Sequence, residues 1–282
     1  MKTPVTINER IKNERPFIAG SLALIWQALF FIVPISCILA ISLFDYHAFL
    51  TFFSFIYLKI ILRSLVIAFL VALICLGIAY PLAYWIARQN RIKKTIAFFF
   101  VILPFWTNFL LHIFAWFFVL ERGGFVNQTL MRIGIISTPI TLLNTWFSVF
   151  LMMVYYYLPF YLLPLYSALE RFDWKMIEAS LDLGATWNQT IKRIMIPQTQ
   201  QAIQAGFFLV FIPAFGEFII PELMGGDRYV MVGSVVSQLV LNPKTLPQGA
   251  AFVVMSSIAL SIASFGIIRL QNHLITKLGK GE

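Results

Sequence analysis

Long apolar runs separated by short polar segments set the pattern of this chain. A helix needs about 20 apolar residues to cross the hydrocarbon core of a bilayer. Six stretches reach that length: roughly 18–44, 64–87, 95–120, 142–169, 202–221 and 250–270. The third and fourth carry internal prolines (Pro104, Pro159, Pro164), which buried membrane helices tolerate when neighbouring groups satisfy the freed carbonyls. His47–Leu62, aromatic-rich and too short to cross after Asp45, predicts an interfacial helix on the outer face. The pattern therefore predicts an all-α integral membrane protein with six transmembrane helices. It predicts one membrane-spanning domain over 17–270, between a polar tail at 1–16 and a second tail at 271–282. The first apolar run is roughly twice the 7–15 residues of a signal-peptide core, so it reads as an uncleaved first span.

Composition agrees with lipid as the solvent. Of 282 residues, 60% are hydrophobic and only 12% are charged, against about a quarter charged in soluble domains. The net charge of +9 would suit nucleic acid in a soluble protein. Here the basic residues lie between apolar spans, so they read as a topology signal and no nucleic-acid partner is expected. Lys2, Arg10, Lys12, Arg15, Arg88, Arg91, Lys93, Lys94, Arg171, Lys175, Lys192, Arg193, Arg269, Lys277 and Lys280 fall on one side. The alternate loops hold only Lys59, Arg63, Arg122, Arg132, Arg228 and Lys244. Both termini and the 170–201 loop are therefore expected in the cytoplasm. Cys37 and Cys75 lie in apolar runs without metal-ligand spacing and read as small hydrophobes. The chain carries no G-x-x-x-x-G-K-[ST], so it has no P-loop of its own.

The 170–201 loop predicts two short helices at the membrane surface. Asp173 can cap the first, and Ile177 and Leu181, four apart, give it an apolar stripe. Glu178 and Asp182 share another face. Gly184 can take the left-handed conformation that ends a helix. Thr186-x-x-Gln189 forms a capping box for the second, which Pro197 is expected to close. A helix–glycine–helix elbow of this kind makes a compact knob suited to a groove on a partner protein.

Its spacing resembles the cytoplasmic signature of ATP-binding-cassette (ABC) importer permeases: E-A-A, three residues, G, nine residues, I-x-L-P. Here it stands as Glu178-Ala179-Ser180, Gly184 and Ile194-Met195-Ile196-Pro197, with Ser180 and Ile196 as mild departures. The resemblance implies the type I importer permease fold. It also implies that Glu178, Ala179, Ser180, Asp182, Gly184, Ala185, Ile194 and Pro197 belong to a coupling loop that docks on an ATPase subunit. Further words, Ile102–Asn108, Asp182–Ala185 and Phe211–Gly226, are similar to the spermidine/putrescine permeases among these importers. That similarity runs from about Leu58 to Gly249. It implies a subunit without covalent chemistry, in a bacterial inner membrane, importing polyamines by alternating access. The implied partners are a dimer of ABC ATPases, a second, diverged permease and a periplasmic polyamine-binding protein. ATP and Mg would be bound by the ATPase, and this chain would hold no cofactor or metal.

Polar groups inside spans are functional candidates because burying them in lipid is costly. If the fifth span is one helix, Glu217 lies roughly 24 Å from its cytoplasmic start, in the outer half of the core. Its carboxylate either faces a cation path, or merely snorkels or pairs with Arg228 in the outer loop. Glu222 falls near the outer interface, with the same two readings. In the third span Trp106 offers a face for cation–π contact, and Asn108 and His112 share another. Tyr155, Tyr156 and Tyr157 cover most of the fourth helix, so at least one should face inward; otherwise these aromatics simply pack. His112 reads as an interhelical hydrogen-bonding group rather than a metal ligand. The carboxylate candidate favours a cationic cargo; an amino acid, anion or metal complex is the alternative within the class. A stand-alone secondary transporter is disfavoured by the lack of an internal repeat.

Overall fold

The computed structural model describes residues 7–44, 54–226 and 229–280. Its contacts fall into two compact units, Met1–Phe53 with Leu239–Met255, and Ser54–Gln238 with Ser256–Glu282. All regular structure among the described residues is helical. Five helices there are long and apolar enough to cross a membrane, and a shorter apolar helix, Gln200–Phe215, supplements them.

In the first unit, α1 (Ile7–Phe44) turns Leu24, Trp26, Phe30 and Phe31 outward. Around a lipid-facing helix this exposure is to acyl chains. Thr245 Oγ1 donates to the Leu239 carbonyl at 2.7 Å, fixing a turn beneath buried Ala250, Ala251 and Phe252.

The second unit is built on three helices packed together: α2 (Phe55–Ala87), α6 (Trp146–Glu170) and α9 (Gln200–Phe215). Without a hydrophobic drive between helices in lipid, small residues that let backbones approach carry the packing. Ala68, Ala72, Cys75, Ala79 and Ala83 of α2 are all fully buried. On α9, a Cβ at Gly206 would come within 2.6 Å of the Tyr161 ring. Tyr161 also donates to the Ile203 carbonyl at 3.0 Å, so this contact needs glycine. The middle of α6 fills the core with Met152, Met153, Leu162 and Leu165.

Several expected boundaries move. The second span begins at Phe55, so residues 55–62 continue α2 and do not form a separate interfacial helix; residues 47–53 of that segment lie outside the described residues. The third span is not one helix. It divides into α3 (Arg91–Ile102), a 3-10 turn (Leu103–Trp106) and α4 (Phe109–Leu120). Pro104 lacks an N–H, and the Asn108 side chain accepts from Leu110 N at 2.8 Å to start a new helix. A short α5 (Phe125–Arg132) follows. The fifth span stops at Phe215; Gly216 and Glu217 are non-helical, and a π turn covers Pro221–Gly225. After α10 (Val232–Val240), α11 runs from Leu246 to Lys280. The segment expected as a C-terminal tail is thus helical to Lys280, because nothing between 271 and 278 breaks a helix.

Candidate functional site

Two places gather the candidate residues: the elbow between α6 and α9, and a cleft at the far end of α9.

The elbow forms as its sequence dictates, with two corrections. Asp173 Oδ1 accepts from Lys175 N at 3.1 Å, and α7 spans Lys175–Asp182. Gly184 sits at φ +85°, a conformation that costs a side-chain-bearing residue about 1–2 kcal/mol. Both halves of the capping box are present at α8 (Trp187–Thr190). Thr186 N donates to Gln189 Oε1 at 2.8 Å. The first correction concerns the apolar stripe. Ile177 is buried at 6% exposure, but Leu181 is 41% exposed, as is neighbouring Leu183 at 88%. Together with exposed Glu178, Ala179 and Asp182, these leucines form an outward face that is apolar and acidic.

The second correction concerns Pro197, which does not close the second helix. A π turn (Ile191–Met195) precedes it, with Ile196 N bonded to the Ile191 carbonyl. A single turn, Ile196–Gln198, then leads almost directly into α9. The wider π turn spares the proline ring its usual clash with the preceding turn. Ile194, Pro197 and Ala185 are half-buried. Ser180, standing in the signature's alanine position, is buried and pairs its hydroxyl with Thr190 Oγ1 at 2.8 Å. That bond ties the two arms together. Thr190 escaped the sequence reading because no local spacing marks a partner ten residues away.

At the other end of α9, Phe109, Tyr156, Phe160 and Phe208 line an open cleft of about 560 Å³, and among the described residues Glu217 is the one charged group in its wall. Tyr157 donates to Glu217 Oε2 at 2.8 Å. Oε1 accepts from the backbone N–H of Phe218 at 3.1 Å and Ile219 at 3.0 Å. Glu217 therefore caps the helical turn that follows it. It stands in the loop after α9, not within a continuous span. With one protein donor on Oε2, that oxygen keeps a lone pair for another.

The remaining candidates lie elsewhere. Trp106 is 74% exposed and meets Phe99 edge-on at 6.1 Å. Asn108 caps α4 and shares no helical face with His112. Tyr155 bonds His112 Nδ1 at 3.0 Å, and His112 Nε2 contacts the Thr107 hydroxyl, so the histidine does link α4 to α6. Glu222 is exposed in the π turn, outside the cleft; Arg228 lies outside the described residues. Of the three adjacent tyrosines, Tyr157 is the one buried against Glu217. Phe109, Phe160 and Phe208 had no signal among 29 phenylalanines.

The chain belongs to the family described as the binding-protein-dependent transport system inner membrane component, whose model matches residues 79–280. It is thus an inner-membrane permease of the importer class. Among its relatives is the spermidine/putrescine transport system permease protein PotB of Haemophilus influenzae, 32% identical over 95% of this chain and 98% of that protein. PotB of Escherichia coli is 38% identical over 73% of this chain and 75% of its own length. The Escherichia coli inner membrane ABC transporter permease protein YdcU is 32% identical over 72% of this chain and 68% of its own. In fold, the chain is similar to a bacterial ABC transporter involved in import of the acidic polysaccharide alginate. The TM-score is 0.69 at 18% identity, covering 95% of this chain and 98% of that one.

Proposed function

We propose that this chain is the membrane-spanning permease of an ATP-driven importer that carries polyamines inward by alternating access, with both termini in the cytoplasm. The elbow carries the reading. Its leucines and carboxylates face outward on a capped, glycine-hinged frame, which is the form a docking knob needs. Two ATPase subunits would supply ATP and Mg, and a second, diverged permease would complete the path. A periplasmic polyamine-binding protein would deliver the cargo. The relatives named for spermidine and putrescine support the cargo, as does the cleft. Its aromatic wall offers π faces to alkylammonium groups, and Glu217 offers one carboxylate.

The test is to extract the chain in mild detergent with its genomic neighbours expressed. An ATPase subunit should co-purify, and hydrolysis should rise with polyamine-loaded binding protein. Extraction that never recovers an ATPase would overturn the reading. One observation favours a second cargo class, such as an amino acid, anion or metal complex: Glu217 already serves Tyr157 and three backbone amides. Recovery of an ATPase whose activity ignores polyamines would select that alternative.

A further inference from the structure

The cytoplasmic end of α2 carries three residues that belong neither to the signature nor to the cleft. Tyr80, Tyr84 and Arg88 are spaced four apart and so lie along one helix face. Each reaches the elbow or reinforces a residue that does. The Tyr80 hydroxyl is 3.2 Å from Thr199 Oγ1, where the elbow joins α9. The Tyr84 ring meets Trp174 edge-on at 5.5 Å and Trp187 edge-on at 6.1 Å. Trp174 immediately precedes α7, and Trp187 is the first residue of α8. One side chain therefore touches both arms. Arg88 donates to the Tyr84 hydroxyl at 2.7 Å, with its guanidinium 5.6 Å from the Tyr84 ring centre and 5.8 Å from that of Trp174. Aromatic and cationic side chains at this level often anchor a protein to headgroups. Here they are turned on one another instead, in edge-to-face and cation–π pairs.

The other end of α2 holds a second segment. Ser64 Oγ accepts from Val232 N at 3.0 Å, and Arg63 donates to the Val230 carbonyl. The chain turns from there into α10, which starts directly against the cleft's wall. A Cβ at Gly233 would fall 2.2 Å from the Gly216 carbonyl oxygen and 2.9 Å from that of Glu217. From Ser64 to Tyr84 is about 30 Å of helix. One element thus grips the elbow and, a membrane's thickness away, the backbone packed against Glu217.

We propose that α2 is the transmission arm between elbow and cleft, with Tyr84 the positioning residue that clamps both arms of the elbow to it. This rests on the elbow being the ATPase-docking element. Displacement of the elbow would draw the cytoplasmic end of α2 with it through Tyr84, Trp174 and Trp187. Without the clamp the elbow would move alone and hydrolysis would be wasted.

The experiment uses the complete importer in proteoliposomes, comparing wild type, Tyr84→Ala, Tyr84→Phe and Arg88→Ala. Spermidine uptake and ATP hydrolysis are measured on the same vesicles. Tyr84→Ala should raise ATP consumed per spermidine imported roughly tenfold, the scale of an ordinary coupling between sites. Tyr84→Phe keeps both ring contacts and should restore most of the ratio. Arg88→Ala, at an exposed position, should raise it by a smaller factor and serves if Tyr84→Ala does not assemble. An unchanged ratio in Arg88→Ala and in any assembled Tyr84→Ala would overturn the proposal. So would a matched fall in uptake and hydrolysis. A wild-type chain that recruits no ATPase would instead defeat the docking reading on which it rests.

Discussion

Glu217 has two claims on its carboxylate. One oxygen caps the turn after α9 and the other takes the Tyr157 hydroxyl. Glutamine can keep the cap through its carbonyl and turn its amide toward the tyrosine oxygen, removing only the charge. Glu217→Gln should therefore leave thermal stability near wild type. It should raise the KM for spermidine roughly tenfold, about 1.4 kcal/mol. Glu217→Ala loses the cap as well, and should also destabilise the chain by about 1 kcal/mol, read as a lower melting temperature in detergent. A Gln variant with unchanged KM would remove Glu217 from the cargo path. None of this pairing was legible in the sequence, because Tyr157 and Glu217 are 60 residues apart. A position near a span's outer end marks a carboxylate as costly but does not name its partner.

At the scale of elements, what the sequence foretold best was what local chemistry decides. The Thr186–Gln189 box and the Gly184 turn both form from residues within a few positions of each other. A Cβ at Gly184 would meet nothing within 4 Å, so its constraint is conformational and not steric. Gly184→Val should weaken recovery of the ATPase severalfold, while Gly184→Asn, which tolerates the left-handed region, should restore most of it. Equal loss in both variants would mean that open space, not backbone conformation, matters there. Boundaries were less legible where a proline can be read two ways. Pro159 and Pro164 remain inside α6, whereas Pro104 helps divide the third span. Asn108, four residues beyond Pro104, accepts from Leu110 N and starts a new helix, whereas the α6 ladder continues past both of its prolines to Glu170. At Pro197 the widened turn overrode the usual helix-ending effect.

Over the whole molecule, the apolar runs were legible because lipid imposes one requirement on every span: cover the backbone and present carbon. The three-helix centre of α2, α6 and α9 was not, since small residues that mark close packing are common throughout such chains. Topology is open to direct measurement. In a chain lacking Cys37 and Cys75, a cysteine replacing exposed Asp182 should react with a membrane-impermeant maleimide only in inverted vesicles. One replacing Arg132 should react only in right-side-out vesicles. Reversal of both would place the elbow outside and end its reading as an ATPase contact.

The π turn at Ile191–Met195 has a consequence for how length can vary in this family. Such a turn houses one residue more than an α-helix needs over the same rise. Deleting one residue there would let the ladder close as ordinary α-helix, with α8 and α9 keeping their facings, at the cost of returning the Pro197 ring to the clash that the wide turn avoids. The same deletion inside α9 would swing everything beyond it by about 100°, carrying Gly206 away from Tyr161. Shortening by a single codon should thus be milder between Lys192 and Ile194 than at Gln204 or Ala205, which a scan of one-residue deletions scored by polyamine-dependent growth would reveal.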